Sequence, residues 1–267
     1  MNPERPRVMG ILNVTPDSFS DGGAFTDPQT AISHARQMVA DGADILDVGA
    51  ESTRPYEGMQ PVSDSEEKNR LSPILGPIVG LGRPVSIDTL KSNVAAWALD
   101  QGAAIVNDVW GLQGDPDMAS LVARRHIPVV VMHNRQSAEP SIDIVADVLA
   151  FFARSLQIAE QAGIAREQII LDPGIGFGKT PEQSIICIAQ FAAFRKFGLP
   201  LLLGASRKRF IASVASSQPG ERLGGSLASL LYAAERGADI VRVHDVAETV
   251  QALQVQAAIQ QATGGAK

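Results

Sequence analysis

The sequence predicts a single (β/α)8 TIM barrel that spans residues 1–267. Eight short apolar runs alternate along the chain with segments of helical periodicity. The 267 residues are close to the roughly 250 that such a barrel needs. Each run also carries a polar side chain at or just past its end, and barrel strands direct these ends to one face, where active sites lie. An open doubly wound sheet also alternates strands and helices, but the count of eight favours the barrel.

The apolar runs have the length of buried parallel strands. The runs and the residues that follow them are 8–12 before Asn13, 45–48 before 51–54, 85–87 before Asp88, 104–106 before Asn107, 129–131 before Met132 and the polar His133, 169–171 before Asp172, 201–203 before 206–208, and 240–241 before Arg242 and His244. The loops after the first and second strands, residues 13–27 and 50–64, are longer than packing requires. Loops of that length are usually functional or disordered.

The intervening segments show helical spacing of apolar residues and recognisable ends. Capping boxes begin at Ser63 and Asp245, and Pro181 occupies the first turn of another helix. The predicted helices are 28–41, 65–75, 91–101, 117–125, 142–161, 181–196, 209 to about 216, 221–236, and 246 to about 263.

Composition excludes several classes of protein. Hydrophobic residues make up 45% of the chain and charged residues 19%, which is typical of a globular protein. The formal charge of −6, without a block of Lys and Arg, argues against a nucleic-acid partner. Cys187 is the only cysteine, so neither an internal disulfide nor a cysteine zinc site can form within one chain. The chain shows no signal peptide and no apolar stretch of about 20 residues, so we expect no membrane partner and a cytoplasmic location.

Three hydrogen-bonding side chains, Asp88, Asn107 and Asp172, follow the third, fourth and sixth strands. Two carboxylates and an amide on one face could read the donor-rich edge of a heteroaromatic ring. Alternatively, a pair of acids could perform acid–base catalysis or bind a metal. A single aspartate at a strand end is often only a helix cap, but three that converge indicate a site.

The two long loops carry further candidate residues. Asn13 ends the first strand, where its amide oxygen could bind a hard cation, and Phe19 is a large apolar group among polar neighbours. Arg54, which follows Thr53, suits bidentate contact with a carboxylate or phosphate, and Pro55 comes next. The alternatives are a turn-rich surface loop and a solvated arginine.

The seventh and eighth strands indicate an anion site. Arg242 and His244 are two residues apart and share a face, next to a predicted helix N-terminus at Asp245. Barrels often bind phosphate at the loops after these strands, and Lys208 follows the seventh. A structural ion pair is the alternative for Arg242.

The glycine-rich segment 172–180 is not a nucleotide-binding motif. Pro173 stands where a P-loop needs its first glycine, and the spacing of Gly174, Gly176 and Gly178 does not match G-x-G-x-x-G. We therefore expect this loop to bring its backbone and Phe177 close to a ligand. Other classes of chemistry are not supported, because the chain has neither a G-x-S-x-G elbow nor an H-E-x-x-H motif.

Five motifs, in order, resemble those of the dihydropteroate synthase family of folate biosynthesis. They are MGILNVTPDSFSDGG at 9–23, DVGAESTRP at 47–55, DPGIGFGK at 172–179, SRK at 206–208 and RVHD at 242–245. The resemblance spans 8 to about 250 and implies a (β/α)8 barrel that is commonly a homodimer. It also implies that a dihydropterin methyl diphosphate condenses with 4-aminobenzoate to give 7,8-dihydropteroate and diphosphate.

The resemblance assigns roles by matching positions. Asp88, Asn107, Asp172 and Lys208 would hold the pterin, with Met132 and Phe177 near its ring. Asn13 would bind Mg²⁺ on the diphosphate, helped by Thr53, Arg54, Arg242 and His244. Phe19, Pro55, Ser206 and Lys208 would border the aminobenzoate site.

One segment departs from the family pattern, and two alternative functions stay open. After Met132 and His133 the family usually continues with Met, whereas this chain has Asn134, which leaves the conformation of the following loop undetermined. The alternatives are a methyltetrahydrofolate methyltransferase serving a corrinoid and a noncatalytic paralogue that binds pterin. The methyltransferase has no need for the first loop or for the cations after strands seven and eight.

Overall fold

A computed structural model describes residues 5–14, 27–51 and 62–264 of the chain. Within these ranges, eight parallel strands form one sheet in the order β6-β5-β4-β3-β2-β1-β8-β7. The two ends of the sheet meet through a parallel bridge between Leu171 and Leu201. The predicted (β/α)8 TIM barrel is therefore confirmed. The strands are β1 Arg7–Asn13, β2 Ile45–Gly49, β3 Val85–Asp88, β4 Ile105–Asp108, β5 Val129–Met132, β6 Ile169–Asp172, β7 Leu202–Leu203 and β8 Ile240–Val243.

Helices connect the strands. They are α1 Pro28–Ala40, α2 Asp64–Leu71, α3 Leu75–Val79, α4 Ser92–Asp100, α5 Met118–Arg125, α6 Ile144–Ala162, α7 Pro181–Ala189, α8 Arg209–Val214, α9 Leu223–Ala234 and α10 Val246–Gly264. Ser63 caps α2 as predicted, because its hydroxyl accepts from the backbone N–H of Glu66 at 3.2 Å. Among the described parts of the chain, no helix is both long and apolar enough to cross a membrane.

Two predicted helices are shorter than expected. The helix predicted at 65–75 ends at Leu71, and the separate helix α3 follows Pro73, which has no backbone N–H to continue the first helix. The helix predicted at 181–196 becomes α7 and a 3-10 helix, Phe191–Phe197. Three residues per turn place Phe191 and Phe194 on one side, where both are fully buried with their ring centroids 6.1 Å apart.

Alternation along the strands divides their side chains between the barrel interior and the layer under the helices. Leu46 and Val241, for example, belong to the larger core outside the barrel. The interior cluster takes one apolar residue from each of seven strands: Met9, Ile45, Ile105, Val130, Ile170, Leu202 and Ile240. Two residues further along five of these strands stand Asp47, Asn107, Met132, Asp172 and Arg242. Hydrocarbon thus fills the middle of the barrel, and the next layer toward the carboxyl ends is mainly polar.

Candidate active site

Partly exposed Arg242 and two buried aspartates form an ion-pair network inside the carboxyl end of the barrel. Arg242 Nε donates to Asp47 Oδ2 and Arg242 Nη2 donates to Asp88 Oδ2, both at 2.6 Å. Burial lowers the pKa of Arg242, but the negative charges of Asp47 and Asp88 raise it more, so the guanidinium stays charged. The ion pair that the sequence left open for Arg242 is therefore present in this structure.

Asp47 is a site residue that the pattern of polar strand ends does not indicate, because it lies within a strand. It lies inside β2, is fully buried, and also accepts from Asn107 Nδ2 at 3.2 and 3.4 Å. It thereby orients both Asn107 and Arg242. The signal that could have found it is a lone charge within the apolar run 45–48.

Asp88 presents an unsatisfied acceptor to the site. Its Oδ2 binds Arg242, whereas its buried Oδ1 has no hydrogen-bond partner among the described residues. Burial raises the pKa of Asp88 to about 7, against the lowering effect of Arg242, and the charge of Asp47 adds to the increase. Since an unpaired buried acceptor costs free energy, this atom is suited to accept a hydrogen bond from a ligand.

Asp172 ends β6, and the charges of several nearby cations act on its carboxylate. Its Oδ1 accepts from the N–H of Gly174 at 2.7 Å. Burial raises the pKa of Asp172, and the charge of Lys208 opposes this most strongly. A Cβ atom placed on Gly204 would lie 3.8 Å from Asp172 Oδ2 and 3.9 Å from both Lys208 Nζ and Arg242 Cβ. Asp172, Lys208 and Arg242 therefore surround one small space beside Gly204.

Apolar side chains flank these polar groups. Val109, Met132 and Phe177 form a small buried cluster. Lys208 links it to the polar side, because its Nζ lies 4.6 Å from the centroid of the Phe177 ring and donates to the carbonyl of Ile175. Apolar walls with a few convergent hydrogen-bonding groups are typical of small-molecule sites.

Ser206 and His244 meet after the seventh and eighth strands. The Ser206 hydroxyl accepts from the backbone N–H of His244 at 3.2 Å and lies 3.0 Å from its Nδ1. Helix α10 begins just after Asp245, whose carboxylate accepts from Arg207 Nε at 3.1 Å and Nη2 at 2.5 Å. Asn13 ends β1, half-buried and in register with Gly49.

The structure brings most of the predicted site residues to one end of the barrel. Those that converge there are Asp88, Asn107, Met132, Asp172, Phe177, Ser206, Lys208, Arg242 and His244. Four predicted residues, Phe19, Thr53, Arg54 and Pro55, lie outside the described residues, as do residues 15–26 and 52–61 of the two long loops. Their roles stay predictions.

Buried acceptors and cations beside a small apolar cluster, at the carboxyl end of a barrel, are suited to bind a polar ring that carries an anionic group, and sites in this position are typical of barrel enzymes. A comparison with known protein families agrees with this class. Residues 9–244 match the family described as pterin binding enzyme.

Comparisons with individual proteins specify which pterin binding enzymes this chain resembles. The dihydropteroate synthase of Bacillus subtilis (strain 168) is 47% identical over 91% of this chain and 85% of its own length. The crystal structure of dihydropteroate synthase from Clostridium difficile, determined in the presence of pteroic acid, superposes with a TM-score of 0.90 at 44% identity and covers 97% of this chain and 98% of that one. The Xanthomonas albilineans dihydropteroate synthase in complex with 7,8-dihydropteroate gives a TM-score of 0.88 at 41% identity over 97% and 95% of the two chains. The chain belongs to the dihydropteroate synthase family of pterin binding enzymes, which are transferases.

Proposed function

We propose that this chain condenses (7,8-dihydropterin-6-yl)methyl diphosphate with 4-aminobenzoate to give 7,8-dihydropteroate and diphosphate, a step of folate biosynthesis. The observation that carries the proposal is the buried set of acceptors formed by Asp88, Asn107 and Asp172 beside the apolar groups of Met132 and Phe177. The solved relative with bound 7,8-dihydropteroate supports the same ligand chemistry.

The pterin would bind between the acceptors and the apolar wall. Its ring edge carries several N–H donors, and carboxylates are acceptor-only groups that can receive two of them in parallel. Asp172 Oδ2 and Asp88 Oδ1 are the oxygens suited to this role, since the second oxygen of each acid binds protein. Lys208 would donate to ring acceptors while its charge lies over Phe177.

The leaving diphosphate would meet the cationic side of the site. We assign this role to Arg242 and His244, together with Thr53 and Arg54. Arg242 is already held in the site by Asp47 and Asp88, so its charge is preorganised and stabilises the departing anion without large rearrangement.

Mg²⁺ is the proposed cofactor, and Asn13 is its proposed protein ligand. The described residues contain no cluster of three His, Cys, Asp or Glu side chains that could hold a metal alone. That fits magnesium, which commonly takes one or two protein oxygens and completes its shell with substrate phosphates and water. When bound, it would neutralise charge on the diphosphate.

The chemistry then needs no protein nucleophile. Electron donation from the dihydropterin ring into its exocyclic CH₂ lets the C–O bond break, and diphosphate leaves with the electron pair. The amine nitrogen of 4-aminobenzoate attacks the resulting cation and loses a proton. The chain must therefore hold both reactants in line. We assign Ser206 and Lys208, with Phe19 and Pro55, to the aminobenzoate side of the site.

A homodimer and a cytoplasmic location complete the proposal. Large exposed apolar side chains lie on three helices that pack side by side: Ile185 and Ile186 on α7, Tyr232 on α9, and Val255 and Ile259 on α10. Exposed apolar patches of this kind commonly mark protein interfaces, so this face suits a second copy of the chain. The mass of the protein in solution, measured by light scattering, tests the dimer.

The decisive experiment is a diphosphate-release assay with Mg²⁺ and each substrate omitted in turn. We expect release only when both the dihydropterin diphosphate and 4-aminobenzoate are present, with 7,8-dihydropteroate formed in equal amount. Pterin binding without any condensation would favour a noncatalytic paralogue instead. Methyl transfer from methyltetrahydrofolate to a corrinoid would favour the methyltransferase.

A further inference from the structure

The glycine-rich segment 173–178 supplies one wall of the site. It carries the Ile175 carbonyl that accepts from Lys208 and the Phe177 ring beneath the same ammonium. The N–H of Gly174 holds Asp172 at 2.7 Å. The conformation of this segment therefore sets the position of several groups that face the proposed pterin.

The backbone of this segment requires glycine at several positions, but glycine also makes the segment flexible unless other contacts hold it. Gly174, Gly176 and Gly178 have positive φ angles of 65°, 80° and 54°. A Cβ on Gly174 would lie 1.9 Å from the carbonyl oxygen of His133, and one on Gly178 would lie 2.4 Å from Arg135 Cβ. The segment thus packs directly on residues 133–135. Since glycine loses the most backbone entropy on ordering, something must hold this segment in one conformation.

Lys179, at the end of the segment, forms hydrogen bonds that hold it in one conformation. Its Nζ donates to the carbonyls of Gly174 at 2.9 Å and Phe177 at 3.1 Å, and lies 2.6 Å from His133 Nδ1. An ammonium can only donate, so Nδ1 accepts and the opposite nitrogen, Nε2, carries the proton. That nitrogen lies 3.0 Å from Asp147 Oδ2, to which it donates. Burial, with the nearby charge of Lys179, lowers the pKa of His133 to about 3, consistent with this neutral tautomer.

Packing alone does not account for this lysine. Its side chain is 8% exposed, and burial lowers its pKa to about 8. Within the described parts of the chain, its ammonium is bound by two carbonyls and an imidazole rather than by a carboxylate. An apolar side chain of similar volume would fill the same space without the cost of burying a charge. It could not bind the carbonyls of Gly174 and Phe177.

We propose that Lys179 is a positioning residue for the pterin: its ammonium ties the carbonyls of Gly174 and Phe177 to His133, and so holds the Ile175 carbonyl and the Phe177 ring in place before the substrate binds. The inference rests on the proposed function, because it takes the pterin to be the ligand of this wall. A segment ordered in advance spares the ligand the entropy cost of ordering it. The residue acts through the wall and does not itself touch the reacting atoms.

The test compares Lys179→Met, which keeps the length of the side chain and removes its donors, with Lys179→Gln, which retains an N–H₂ group. Lys196→Met, at an exposed position, is the matched control. Each protein is assayed for KM of both substrates, for kcat, for affinity to the dihydropterin diphosphate by calorimetry, and for thermal unfolding.

We expect K179M to weaken pterin binding by about tenfold or more, as loss of one charge-assisted hydrogen bond would. KM for 4-aminobenzoate should change less than about twofold, K179Q should be intermediate, and K196M should match the wild type. Pterin affinity within about twofold of wild type in K179M, or in K179Q if K179M does not fold, overturns the inference. An equal loss for both substrates would do the same, since it indicates general damage. If the wild-type protein itself binds no pterin, the result contradicts the proposed function rather than the role of Lys179 alone.

Discussion

Replacing Arg242 with glutamine should strongly destabilise the protein, because Asp47 and Asp88 share its guanidinium. Both acids are buried, and each accepts from Arg242 at 2.6 Å. Removing one partner of a buried ion pair typically costs about 3–5 kcal/mol. Since two carboxylates lose the same cation, we expect a loss of about 4–5 kcal/mol in the free energy of unfolding at pH 8.

The loss should depend on pH in a defined direction. Burial raises the pKa of Asp88 from 3.8 to about 7, and Arg242 is the largest influence that lowers it. A carboxyl with a raised folded-state pKa binds more protons in the folded state, so stability falls as pH rises from the unfolded to the folded pKa. Without Arg242 the pKa of Asp88 in the folded state rises further, so the pH range over which stability falls extends to higher pH. The difference between R242Q and wild type should therefore be smaller at pH 6 than at pH 8.

Urea unfolding followed by circular dichroism at pH 6, 7 and 8 measures these differences. Arg154→Gln, at an exposed position on α6, is the control and should stay within about 0.5 kcal/mol of wild type. The reasoning is refuted if R242Q lies within about 1 kcal/mol of wild type at pH 8, or if its deficit does not grow with pH.

Three further substitutions test separate parts of the site. Asp47→Asn keeps the shape but weakens the bond from Arg242 Nε, so urea unfolding should show a loss of about 1.5–3 kcal/mol; unchanged stability would contradict the role of Asp47. Asp172→Asn places an amide N–H₂ where an acceptor is needed, so calorimetry should show weaker pterin binding, and equal affinity would reject that assignment. Gly174→Ala should destabilise much more than Gly198→Ala, whose φ of 64° is nearly the same but whose Cβ would meet nothing within 4 Å. Equal thermal shifts for the two alanine variants would show that the contact with His133 relaxes freely.

The sequence by itself determined the barrel and most of the site, because the patterns that encode them are local. Alternation with a period of two places an apolar residue such as Ile170 inside the barrel and carries Asp172 to the next layer on the same face. Parallel strands then bring their carboxyl ends together, which is why Asp88 and Asn107 could be predicted as neighbours, and they are in register. The Ser63 cap is similarly local.

The tertiary structure decided which charges meet. Arg242 is 195 residues from Asp47 and 154 from Asp88 along the chain. Their pairing exists only once β8 pairs with β1, because β2 and β3, which carry Asp47 and Asp88, follow β1 in the sheet. Lys179 likewise reaches His133 only because the two loops pack backbone against backbone. Local periodicity selects a face for each side chain, but its partner depends on strand register and closure, which no segment of the sequence specifies alone.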